Sequence, residues 1–75
     1  EIDDQHAIFD VEVPTAWVGK SIGELDIRRK FGINILGIKH SGKTDVSITP
    51  DTVLSKEITI LALGEYKALQ KCFRI

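Results

Sequence analysis

Arg28 and Asn34 are the two polar residues of this chain whose neighbours suggest chemistry. Both sit within the stretch from Gly19 to His40, among Ile22, Ile27, Ile33 and Ile35. A guanidinium can give charge-assisted, bidentate hydrogen bonds to a phosphate. An amide offers both a donor and an acceptor. Branched aliphatic side chains beside them suit a small ligand with flat apolar faces and anionic groups. Plainer readings stand next to this one. Arg28 can equally be a solvated helix residue, and Asn34 can simply close the turn after Gly32. The isoleucines have the composition of a core or of a dimer interface. His40 reads as a strand-end surface residue and Pro50 as a turn former.

Other chemistries find no support. Gly37 to Thr44, GIKHSGKT, satisfies the phosphate-loop pattern G-x-x-x-x-G-K-[ST]. That mechanism needs a helix starting at the Lys-Thr pair, so that backbone amides meet the phosphates. Here the pair is followed by Asp45-Val46-Ser47-Ile48-Thr49-Pro50, an alternating β-branched run that predicts a strand. Gly19-Lys20-Ser21 is weaker, because Pro14 stands where the first glycine belongs. The two histidines, His6 and His40, and the single cysteine, Cys72, give no metal-ligand spacing. No serine or cysteine is paired with a base, and the carboxylates Asp3 and Asp4 lie in a polar lead-in. The chain is therefore read as a sensor, not an enzyme, with no catalytic residue, no metal and no catalytic cofactor.

Composition narrows the class further. Seventy-five residues make one small domain. A chain of this size buries only about 60% of its unfolded surface. With 43% hydrophobic residues and no cysteine pair, the missing stabilisation is expected from a partner surface, most simply in a twofold homodimer. A net charge of −1 lacks the basic excess of a nucleic-acid binder. The longest apolar run, Ile58 to Leu63, falls far short of the roughly 18 residues of a spanning helix. A lone thiol suits a reducing, cytoplasmic setting, and Cys72 reads as an inert core residue. Starting at Glu1 and lacking methionine, the chain reads as a piece of a longer polypeptide.

The elements that must position Arg28 and Asn34 follow from periodicity. Residues 1–6 read as a flexible linker. Phe9, Val11 and Val13 alternate with Asp10 and Glu12, a half-buried strand ended by Pro14. Trp17 reads as a partly buried anchor in the connector that follows. Ser21 and Glu24 form a capping box opening a helix over Ile22–Phe31, with Ile22, Leu25 and Arg29 on one face. Gly32 is placed to close that helix in the left-handed conformation. Ile33 to His40 is a second strand, covered on both faces. Ser41-Gly42-Lys43 makes a hairpin turn into a third strand carrying Val46 and Ile48. A turn at Pro50-Asp51-Thr52 brings Val53 and Leu54 inward. Ile58 to Leu63 is a fourth strand, broken by Gly64. Glu65 to Phe73 is a last helix with Tyr66, Leu69, Cys72 and Phe73 inside. The expected fold is α+β, β-α-β-β-β-α, a mostly antiparallel sheet with two helices.

Several of these stretches together resemble the TrkA-C family, also called the RCK C-terminal domain, found in cytosolic gating subunits of bacterial Ktr/Trk potassium transporters. They are Val13-Pro14, Val18 to Leu25 with Arg28, Phe31 to Ile38, Ile48 to Leu54, and Ile60 to Gly64. The likeness covers about Phe9 to Phe73, which makes residues 7–75 the domain. It implies a twofold dimer that follows an RCK N-terminal domain and acts on a membrane potassium-transporter subunit, at the cytoplasmic face. It also implies cyclic di-AMP as a regulatory ligand at the dimer interface, reducing transport. The implied ligand-binding positions are Ile22, Ile27, Arg28, Asn34, Ile35 and Pro50, with Ile33 beside them. Some members carry arginine where this chain has His40. A twofold-symmetric dinucleotide fits an isologous interface, since each half meets the same residues. A ligand-free dimerisation module of the same family is the alternative.

Overall fold

The computed structural model describes residues 4–75. Its first strand, β1, runs His6–Glu12, so His6 belongs to the sheet and not to the expected linker; residues 1–3 of that stretch lie outside the described residues. A 3-10 turn at Thr15–Trp17 leads to helices α1, Ile22–Leu25, and α2, Ile27–Phe31. Then come strands β2, Asn34–His40, β3, Lys43–Asp45, and β4, Thr59–Glu65, and the closing helix α3, Tyr66–Phe73. The sheet order is β1-β4-β2-β3 and every pairing is antiparallel. This is the expected β-α-β-β-β-α plan, with one difference in its first helix.

That helix is two short ones. Asp26 between them is left-handed, at φ 51 and ψ 47. The break carries no glycine, which is why periodicity reads straight through it. Asp is one of the few residues that tolerate this conformation, and its carboxylate accepts a hydrogen bond from the Arg29 guanidinium. The turn reorients α2. Ile27 drops into the core at 2% exposure, while Arg29, expected on one face with Ile22 and Leu25, lies out in solvent.

The sheet is two-faced. Across β1, β4 and β2, the cross-strand sets Ala7–Gly64, Phe9–Ala62–Ile35 and Val11–Ile60–Ile38 share the face under the helices. Ile60 and Ala62 are fully buried there, with Ile33, Leu54 and Leu69. Trp17, at 5% exposure, is more deeply buried than expected, its ring tilted against Phe31 at 5.6 Å and edge-on to Phe73 at 5.5 Å between centroids. On the opposite face stand Ile8, Leu63 and Asn34, then Asp10 and Leu61, then Glu12, Thr59 and Lys39. The register slips between Ile35 and Gly37, so Leu36 is an extra residue in β2. Such a bulge resets the inward-outward alternation that sequence predicts for this strand.

Three further expectations are corrected. Gly64 does not end β4; the strand continues through it to Glu65. A side-chain carbon at Gly64 would lie 3.3 Å from both the Gly32 carbonyl oxygen and Ile33 Cγ1, so its role is close approach. The third strand ends at Asp45, leaving Val46 and Ile48 outside it and Val46 at 70% exposure. Val53 likewise points outward at 58% exposure, while Leu54 is buried as expected.

The segment from 49 to 54 is clamped onto the start of α1. Gly23 N–H donates to the Pro50 carbonyl at 2.8 Å and Ile22 N–H to the Thr52 carbonyl at 2.9 Å. Leu54 N–H donates to the Lys20 carbonyl at 2.9 Å and Gly19 N–H to the Leu54 carbonyl at 2.8 Å. The Ile22 and Gly23 bonds use amides that a helix start leaves without an internal partner.

Three outcomes follow. Leu54→Ala should cost about 2–5 kcal/mol in denaturant unfolding, the range for truncating a fully buried leucine. Gly23→Ala should cost about 1–3 kcal/mol, because its new carbon would stand 2.9 Å from the Pro50 carbonyl oxygen, which is backbone and must move. Asp10 accepts hydrogen bonds from the Thr59 hydroxyl and, at 3.1 Å, from Lys39 Nζ, which hold its carboxyl below the usual carboxylate value. A carboxyl depressed on folding stabilises the protein above its unfolded pKa, and that contribution is lost as pH falls through the folded one. Melting temperatures followed into acid should therefore fall less for Asp10→Asn than for the parent chain.

Candidate functional site

The expected site residues fall into two groups joined at Asp26. The first is Ile22 with Pro50. Ser21 caps α1: its hydroxyl accepts from Glu24 N–H at 3.2 Å, and Glu24 Oε2 accepts from Ser21 N–H at 2.8 Å. Those bonds to Ser21 hold the Glu24 carboxyl below its ordinary value. The cap fixes where α1 begins, and the Gly23–Pro50 contact seats Pro50 on it. Ile22 is half-buried and Pro50 is exposed.

The second group surrounds Gly32. Arg28 lies exposed on α2, and its carbonyl accepts from Gly32 N–H at 3.0 Å. Gly32 adopts φ 71, as the sequence predicts, and turns the chain into β2. Asn34, the first residue of that strand, is exposed on the outer sheet face. Arg28 and Asn34 therefore flank one tight turn. Ile35 follows on the opposite face and is half-buried.

Ile27 and Ile33 behave differently. At 2% and 0% exposure, their side chains belong to the core and offer no wall to a ligand. Only their backbone atoms remain for recognition. The strand itself does provide free backbone: β2 pairs with β3 only from Ile38 to His40, so Asn34 to Gly37 has a strand partner on one side alone. Periodicity alone could not reveal that, because it reports faces and not which edges are filled.

The residues do not close a pocket within one chain. A cavity of about 360 Å³ at the sheet end touches Asn34, together with His6, Leu63 and Glu65. A larger groove of about 980 Å³ lies elsewhere, between the 3-10 turn, α2 and α3, and touches none of the expected site residues.

The structure argues against the phosphate-loop reading. The phosphate-loop pattern occupies the β2–β3 hairpin, with Ser41 and Gly42 at φ 54 and 80 forming its two-residue turn. Lys43 and Thr44 are strand residues, and no helix starts there. Among the described residues no cluster of three metal-ligating side chains exists, and no helix is long and apolar enough to cross a membrane. Burial pushes the Cys72 thiol up, away from the reactive thiolate.

Comparison with known proteins places this arrangement. The Ktr system potassium uptake protein A of Bacillus subtilis (strain 168) is 27% identical over 71 residues, 95% of this chain and 32% of that protein. The chain thus spans about a third of the length of the curated relatives it matches. Among solved structures, the RCK C domain of the potassium transport protein KtrA in complex with cyclic di-AMP superposes with a TM-score of 0.82. It is 30% identical, with 95% of this chain and 84% of that one covered. The RCK_C domain dimer of S. agalactiae BusR, also in complex with cyclic di-AMP, matches with a TM-score of 0.70. It is 29% identical, over 93% of this chain and 96% of that one. The TrkA-C domain profile itself matches residues 6–75. With a four-stranded antiparallel sheet, a broken first helix and a closing helix all falling inside that match, the chain belongs to the TrkA-C, or RCK C-terminal, domain family.

Proposed function

We propose that this chain is the regulatory ligand-binding domain of a potassium-transporter gating subunit, and that two copies pair to bind cyclic di-AMP between them. The observation that carries the ligand's identity is the likeness, over 95% of the chain, to the KtrA RCK C domain solved with that dinucleotide. The chain's own geometry agrees. Arg28 stands in solvent beside the Gly32 turn, positioned for a phosphate. Asn34 stands at the other side of the same turn, and the one-sided stretch of β2 offers amides and carbonyls to an adenine edge. Ile22, Ile35 and Pro50 supply apolar surface for the rings.

The incompleteness of the site in one chain favours a shared one. A cation, an amide and a few half-buried aliphatics on an open surface hold a ligand weakly; a second copy doubles the set by symmetry and removes water from between. Ile8, on the outer sheet face in the same cross-strand row as Asn34 with Leu63 between them, is 39% exposed, and Leu36 is 38% exposed. Such side chains are ready to be covered. In the longer protein, an RCK N-terminal domain would precede this one, and a membrane potassium-transporter subunit would receive the signal at the cytoplasmic face. Ligand shifts that signal only by binding one arrangement of the pair better than another. Reduced uptake is the output this reading assigns.

Calorimetric titration of the chain with cyclic di-AMP should give one ligand per two chains. Arg28→Ala should weaken binding by about 1.5–3 kcal/mol, the range for a hydrogen bond to a charged group. Unchanged affinity in that variant would remove Arg28 from the site. No heat of binding, and no rise in melting temperature with any of a panel of nucleotides, would leave a pairing module without a ligand.

A further inference from the structure

We propose that the groove between the 3-10 turn, α2 and α3 is a second binding site, one that docks an acidic peptide segment carrying aromatic or aliphatic side chains. It is a separate place on the molecule: none of Ile22, Arg28, Asn34, Ile35 or Pro50 lines it. Its floor is the aromatic cluster of Trp17, Phe31 and Phe73. Phe31 remains 39% exposed, an uncommon condition for a phenylalanine in a chain this short of core. Three cations line the same groove: Lys30 at the end of α2, and Lys71 and Arg74 at the end of α3. Glu12 is the one carboxylate against them. The whole chain carries a net charge of −1, so this concentration of positive charge is local.

Shape selects the occupant. At about 980 Å³ the groove has the size of a ligand site but is open to solvent. Small-molecule sites normally enclose most of their ligand. An open trough with an apolar floor and a cationic rim suits an extended segment. Its apolar side chains would settle on Phe31 and Phe73, and its carboxylates would meet the lysines and the arginine. The two helix ends bordering the trough add three donors that side chains of the chain itself leave largely unengaged: among the described residues no salt bridge is formed by Lys30, Lys71 or Arg74.

Trp17 is the only tryptophan in the chain and lies in this groove, so its emission reports occupancy directly. The probe is a blocked acidic peptide, Asp-Glu-Phe-Asp-Glu-Leu-Asp, titrated against the full chain. Controls are the same peptide with lysine at every acidic position, and ADP as a compact aromatic anion. A saturable shift with the acidic peptide alone is expected. The paired charge reversal Lys30→Glu and Lys71→Glu, both at exposed positions, should weaken it roughly tenfold or more, and added salt should weaken it too. Arg28→Ala should leave it unchanged, which separates this site from the dinucleotide site. Three results would overturn the proposal: no saturable shift, an equal shift with ADP, or affinity untouched by the charge reversal in a variant whose circular dichroism matches the parent chain.

Discussion

The inner face of β4 is the constraint on which the rest of the domain depends. This strand alone has strands on both sides, β1 and β2, along most of its length. Ile60 and Ala62 are removed entirely from water, and at Gly64 the backbone passes so close to Gly32 and Ile33 that a side-chain carbon would make unusually tight contacts of 3.3 Å. Burying a side chain such as Ile60 here is worth roughly 1.5–3 kcal/mol relative to exposure. In a chain with so little interior, that row holds much of the stability. It also sets where the Gly32 turn can lie, and therefore where Arg28 and Asn34 stand.

The second determinant is the break at Asp26. A continuous helix from Ile22 to Phe31 would have to choose one direction. With Asp26 left-handed, α1 can hold the 49–54 segment through its free amides while α2 turns Ile27 into the core. The cost of an unfavourable backbone conformation, about 1–2 kcal/mol, is offset by the Asp26–Arg29 contact and by what the turn lets both helices bury. One local strain thus couples Pro50 on one side to Arg28 on the other. Under the proposed function, a ligand touching both would sense their relative placement.

The two surfaces discussed differ in kind. Around Gly32 the polar groups are few and directional, and within one chain they close no pocket. Between α2 and α3 the floor is aromatic and the charge is distributed over Lys30, Lys71 and Arg74, the basis of the peptide site proposed there. Both depend on α2: Arg28 faces one way and Lys30 and Phe31 line the other groove. The same short helix therefore stands between them.

Much of this was readable in the residues. The capping box at Ser21 and Glu24, the left-handed Gly32, the hairpin at Ser41-Gly42, and the strand–helix order follow from local rules, because each is decided by groups within four residues of one another. The resemblance carried by Val18–Leu25, Phe31–Ile38 and Ile48–Leu54 named the family that the profile match then showed. Sequence also singled out Arg28 and Asn34, which the fold leaves exposed on either side of one turn. What tertiary structure decided was everything set by distant partners. Ile27 and Ile33 look like Ile22 and Ile35 in the sequence, yet the first two are sealed inside and the others are not, because burial depends on what packs above. Gly64 reads as a strand breaker until Gly32 and Ile33 are seen against it. The bulge at Leu36 and the one-sided stretch of β2 arise from pairing between strands, and no periodicity within a single strand can encode which of its neighbours is missing.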